Sequence, residues 1–147
     1  KDMTLNAGTL DNRQGVLGSQ TSLQISSGTL MNQKGALKAG TDMLLSGGDV
    51  SNQEGALAAG GDLNTHLSVL ENQQGTVVSN GNSRLDVTRF DNQGGRLVAQ
   101  QSLTLSSTDI INDAGGLIQS GASLNLRADT LSNRNSGDRG GLSVRVR

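Results

Sequence analysis

The chain has 147 residues, including 21 glycines and one phenylalanine but no proline, cysteine, tryptophan or tyrosine, and its formal net charge is −1. Without cysteine there is no disulfide framework and no thiolate metal site, and a charge near zero supplies no electrostatic pull toward nucleic acid or an anionic membrane. No apolar run approaches the roughly 18 residues of a membrane-spanning helix, so neither nucleic-acid binding nor membrane insertion is expected.

Taken in chain order, one pattern recurs. The first unit carries Met3, Leu5, Leu10, Asn12, Gly15, Leu17 and Ser19. The second repeats it as Leu23, Ile25, Leu30, Asn32, Gly35, Leu37 and Ala39, and the third as Met43, Leu45, Val50, Asn52, Gly55, Leu57 and Ala59. The fourth runs through Leu63, Thr65, Leu70, Asn72, Gly75, Val77 and Ser79, with Leu67 standing in for the missing apolar partner of Leu63. The fifth has Leu85, Val87, Phe90, Asn92, Gly95, Leu97 and Ala99. The sixth has Leu103, Leu105, Ile110, Asn112, Gly115 and Leu117, with Ser120 one place late, and the seventh opens on Leu124 and Leu126. The asparagines from Asn12 to Asn112 follow at a spacing of 20, and Asn133 comes after 21.

Alternation over a few residues, broken by Gly, Asn, Ser and Asp, predicts three short strands per unit. Position matches position at constant offset, so equivalent residues can stack only if each unit is one turn of a solenoid. The expected fold is all-β: a parallel β-helix of about seven coils, each of about 20 residues, triangular in section and roughly 34 Å long at ordinary strand spacing. A single domain over 1–147 is expected, with an irregular final coil over 134–147. Asn12, Asn32, Asn52, Asn72, Asn92 and Asn112 are read as a hydrogen-bonded structural ladder at one corner. The glycine three residues later is read as a positive-φ position. Asn52→Ala and Gly55→Val should then cost more stability than any change on an outer strand face.

Two irregularities stand out. Val77 to Leu85 is two residues longer than in other units, which predicts an outward bulge over 79–83. The last unit breaks over 133–141 and resumes alternation with Leu142, Val144 and Val146 inward and Ser143, Arg145 and Arg147 outward. No polar cap is visible at either end, so the chain reads as an excerpt of a longer filament.

Chemistry is weakly represented. Glu71 and Asp91, and likewise Asp42 and Asp62, fall about one strand spacing apart, a separation that suits a retaining glycosidase. Repetition alone also produces such pairs. His66 has no second histidine or cysteine to join it, and the two-residue insertion should carry Asp86 out of its column. No catalytic, cofactor-binding or metal-ligating residues are assigned, and no cofactor is expected. A possible partner contact is the outward column Ala58, Val78, Val98 and Ile118. Gln33, Gln53, Gln73 and Gln93 read as an outward stack, and Arg127, Arg134, Arg139, Arg145 and Arg147 give one end a basic bias offset by Asp129 and Asp138.

The unit approximates L-x-N-Q-x-G-x-L-x-A-x-x-x-L-x-L over residues 30–45, with Met43 at the penultimate apolar place, and again over 50–65, with Thr65 departing at the last. It resembles the filamentous haemagglutinin repeat. That resemblance implies a right-handed β-helical segment of a two-partner-secreted exoprotein, exported through an outer-membrane partner and displayed at the surface of a Gram-negative bacterium. It further implies a structural and adhesive role toward a host or bacterial cell-surface receptor or glycan. The alternatives are an inert delivery stalk of a contact-dependent growth-inhibition toxin and, more distantly, a polysaccharide-active enzyme.

Overall fold

A computed structural model describes residues 1–144; Arg145, Val146 and Arg147, whose alternation the sequence predicts, lie outside the described residues. The long strands β1 (Met3–Asp11), β3 (Leu23–Met31), β5 (Met43–Ser51), β7 (Leu63–Glu71), β9 (Ser83–Asp91), β11 (Leu103–Ile111) and β13 (Leu124–Ser132) form one seven-stranded sheet in that order. The short strands β2 (Val16–Ser19), β4 (Ala36–Ala39), β6 (Ala56–Ala59), β8 (Thr76–Ser79), β10 (Arg96–Ala99), β12 (Leu117–Ser120) and β14 (Gly141–Val144) form the second. Every pairing is parallel and joins a strand to its equivalent one coil away. The chain is therefore a β-solenoid.

Each coil has two strands where three were expected, because the first two expected stretches are one strand with a bend. In β3 the side chains of Leu23, Ile25 and Ser27 turn inward, and the next inward residue is Leu30, three places on rather than two. Ladder pairing skips Gly8 and Gly28 at this point. A phase slip of one residue at a glycine turns the wall by a corner. The coil thus keeps three walls, for example 23–27, 29–31 and 36–39.

Inward residues form columns. In the second coil Leu23, Ile25, Ser27, Leu30, Leu37 and Ala39 are all buried, and equivalent residues bury equally in the next four coils wherever they are apolar. Each fully buried aliphatic side chain contributes about 1.5–3 kcal/mol, so the stack of coils is its own core. Leu131, Leu142 and Val144 continue three of these columns in the last coil but stay exposed, since a coil covers them on one side only.

The corner at 79–83 does not bulge. Ser79 pairs with Ala59 and Ser83 with Leu63 in unbroken register, so no residue is inserted. Ser83 occupies the inward place that Leu63 fills one coil earlier, and Leu85 and Val87 align with Thr65 and Leu67. A hydroxyl is tolerated there because Ser83 Oγ lies 2.6 Å from Ser79 Oγ, so neither buried group is left without a partner. The expected bulge follows from matching Leu85 and Val87 to the first two of this wall's three inward places, whereas they hold the second and third.

Thr65 is the less satisfied substitution. It is 4 % exposed, and its Oγ1 has no protein hydrogen-bond partner. Thr65→Val keeps the shape and removes the stranded hydroxyl, so a gain of about 1 kcal/mol is expected. The urea midpoint of the variant checks this.

Candidate interaction surface

The asparagine corner sets the register of everything outside it. Asn12, Asn32, Asn52, Asn72, Asn92 and Asn112 each donate Nδ2 to Oδ1 of the next asparagine at 2.7–2.9 Å, the last to Asn133. The same Nδ2 also donates to the carbonyl that opens the short strand of the next coil, from Ala36 at 3.0 Å to Gly141 at 3.2 Å. The five asparagines from Asn32 to Asn112 are 0 % exposed. Each amide thus adds two ties between coils to the backbone bonds that already cross the corner, such as Asn32 N–H to the Ser51 carbonyl at 2.7 Å and Lys34 N–H to the Gln53 carbonyl at 3.1 Å.

The glycine beside each asparagine has a different job from the one its sequence position implies. Positive φ falls one residue earlier, at Gln14, Lys34, Glu54, Gln74 and Gly94, with φ of 57–62°. Gly35, Gly55, Gly75 and Gly95 are required because a Cβ on any of them would stand 2.1–2.2 Å from an asparagine carbonyl of the preceding coil. In the sixth coil an extra residue lengthens this corner. Ala114 and Gly115 both take positive φ, and Gly116, not Gly115, makes the close approach.

That extra residue corrects the proposed contact column. Ala58, Val78 and Val98 are in register on the outer face of the short sheet and half-buried. Ile118 is not with them. It pairs with Leu97, is 0 % exposed and points into the core, and Gln119 takes the outward place beside Val98. Ser120, one place late in the sequence, was the available signal of this shift.

The acidic pairs are occupied by structure. Asp91 is 3 % exposed and accepts from Gln73 Nε2 at 2.9 Å and Gln93 Nε2 at 3.1 Å, while Glu71 accepts from Gln53 Nε2 at 2.9 Å. Gln53, Gln73 and Gln93 therefore bind carboxylates one coil on or within their own corner, rather than stacking on each other. Asp42 and Asp62 each accept the backbone N–H of the equivalent residue in the following coil at 2.8 Å, Asn82 does the same for Ser102 at 3.0 Å, and Asp2 for Ser22 at 3.2 Å. This second polar ladder escaped the sequence reading, although Asp42, Asp62 and Asn82 recur at the repeat spacing. His66 and Asp86 share a column after all, because the insertion that would have separated them does not exist. They pair across β7 and β9, with His66 Nδ1 3.1 Å from Asp86 Oδ2, both side chains exposed.

Three other carboxylates titrate low. The hydroxyl of Thr21 and the Ser22 amide hold Asp2 at about 2, and the Arg13 guanidinium with its backbone N–H holds Asp11 at about 2, against an ordinary 3.8. The Arg134 backbone N–H, helped by Ser132, lowers Asp113. A depressed carboxylate stabilises the fold above its unfolded value and loses that contribution as pH falls through its folded value. The melting temperature is expected to stay level from about pH 8 to about pH 5 and to drop between about pH 4 and about pH 2. These groups are exposed, so the drop is shallow and shrinks in high salt. Melts across a pH series at two salt concentrations check it.

Outside the corners, the long sheet presents an almost entirely polar face and the short sheet a narrow face of small and aliphatic side chains. A shallow depression of about 420 Å³ lies on the long sheet between Arg84 and Arg127. No curated protein and no solved structure matches the chain. The family model for the haemagglutinin repeat matches over residues 2–66, 63–108 and 78–147. Those matches span nearly every coil, and the chain belongs to the haemagglutinin repeat family.

Proposed function

We propose that this chain is a stiff, adhesive stretch of a secreted filament at the surface of a Gram-negative bacterium. It is exported through an outer-membrane secretion partner and attaches to a host or bacterial cell through a surface receptor or glycan. The observation that carries this reading is the family match along the chain, joined to a strand register that repeats through every coil without a break. Haemagglutinin repeats suggest an adhesin-like, exported segment rather than an enzyme. Parallel strands and corner ladders running the length of the rod give the stiffness that projection from a cell needs.

Contact is assigned first to the half-buried column Ala58, Val78 and Val98, a flat aliphatic strip on a face otherwise edged by Lys38 and Arg96. Beads coated with the chain should adhere to cells, and Val78→Asp with Val98→Asp should cut adhesion about fivefold without lowering the melting temperature by more than a few degrees. Unchanged adhesion by that variant removes the column from the contact. The uniformity of the coils favours a second reading, the delivery stalk of a contact-dependent growth-inhibition toxin. Coated beads that adhere to no cell type favour that stalk.

A further inference from the structure

We infer that the outer face of the long sheet across β9, β11 and β13 is a groove for an extended polysaccharide bearing carboxylates, gripped by Arg84 and Arg127. This names the ligand class for the adhesive reading above and rests on it. The groove is read from three depressions that share walls. The largest, about 420 Å³, is lined by Arg84, Arg127 and the polar groups of Thr104, Ser106 and Asn125. A second, of about 330 Å³, shares Arg84 and Thr104 with it, and a third, of about 230 Å³, shares Ser106 and Arg127. Together they make one shallow run over several coils, which fits a chain better than a compact small molecule.

The register fixes the spacing of the charges. Arg84, Thr104 and Asn125 stand in one column, and Asp86, Ser106 and Arg127 in the neighbouring one. Two strand spacings and two residues of strand separate the arginine Cα atoms by about 12 Å on the diagonal. Neither guanidinium joins an ion pair among the described residues, whereas Arg13 and Arg89 both do. Of the carboxylates on this face, Asp86 is engaged by His66, Asp62 borders only the second depression and accepts the Asn82 backbone N–H at 2.8 Å, and Asp129 borders only the smallest. The largest depression therefore has two cations and no carboxylate on its walls.

Chemistry selects the ligand. Sugar binding commonly uses aromatic stacking, but the one aromatic residue, Phe90, is 0 % exposed. Recognition on this face must come from charge and hydrogen bonds. A guanidinium fork meets a carboxylate with two parallel N–H···O bonds, and the hydroxyls and amide between the arginines match sugar hydroxyls. A linear glycan with an acid on alternate sugars can reach both arginines at once.

Titration calorimetry of the whole chain with a hyaluronan octasaccharide, against a neutral chitin octasaccharide, tests the inference. Hyaluronan should bind and the neutral oligomer should not. Arg84→Met with Arg127→Met should weaken binding at least about tenfold while melting as the parent does, and Arg139→Met, outside the groove, should leave it unchanged. Arg84→Lys with Arg127→Lys should lose several-fold, since an ammonium keeps the charge but not the fork. Full binding by the methionine or lysine pair, or preference for a sulfated glycan over hyaluronan, overturns the inference. So does absence of hyaluronan binding. If coated beads still adhere to cells in that case, the adhesive reading stands without the groove; if they do not, both fall.

Discussion

Gly55→Val is expected to leave the chain largely unfolded at room temperature, a loss of about 4 kcal/mol or more. A Cβ at this position meets the Asn32 carbonyl oxygen at 2.2 Å, Asn52 Oδ1 at 2.6 Å and Asn32 Nδ2 at 3.2 Å. The first contact is with backbone that is itself held in the corner, so no side chain can swing away to relieve it. The branched side chain then also pushes on the amide ladder it would have to pass. Gly55→Ala carries the same first contact and should lose about 2–3 kcal/mol. Gly8→Ala is the control: a Cβ there meets nothing within 4 Å, and its effect should stay within about 0.5 kcal/mol. Urea melts followed by circular dichroism rank the three. Equal midpoints for Gly55→Ala and Gly8→Ala would show that the corner has room the structure denies it.

Asn52→Ala should cost about 3–5 kcal/mol. The side chain is 0 % exposed and takes part in three bonds: from Asn32 Nδ2 at 2.8 Å, to Asn72 Oδ1 at 2.8 Å and to the Thr76 carbonyl at 3.2 Å. Truncation strands a donor and two acceptors away from water, each worth about 1–3 kcal/mol when left unmade. Asn52→Asp is the sharper probe. It keeps shape and acceptors but cannot donate, and it buries a charge beside Asn72 Oδ1. It should therefore be no more stable than Asn52→Ala at neutral pH and should recover part of the loss in acid, where the carboxyl regains a proton to donate. By contrast, Lys38→Ala on the outer face should change the midpoint by less than about 0.5 kcal/mol.

Much of this molecule is legible from residue spacing. A solenoid makes each residue the neighbour of its own equivalent, so the requirement for an amide at Asn32 is the same requirement at Asn52 and Asn72, and it appears in the sequence as recurrence. Two separate misalignments account for the misplaced residues. Leu85 and Val87 were aligned with the first two inward places of a wall that has three, because Ser83 holds the first and its hydroxyl is satisfied by Ser79. The supposed bulge and the supposed separation of His66 from Asp86 both came from that misalignment. Ile118 reads as outward only if the extra residue of the sixth coil falls beyond Leu117, whereas the corner absorbs it at Ala114 and Gly115.

Residue spacing carries the solenoid class, the coil length, the parallel stacking and the asparagine ladder at one corner, since all four follow from one period and from which residue types recur with it. The packed coils fix which residue fills which inward place, why glycine is needed three residues after the asparagine, where the extra residue is accommodated and which arginines line one depression of the long sheet. The reason is physical. Apolar and small side chains substitute for one another in a core column at little cost, so composition does not mark the register. Backbone hydrogen bonds between coils do mark it, and a slip of a single residue reverses which side chains meet the core and which meet a partner.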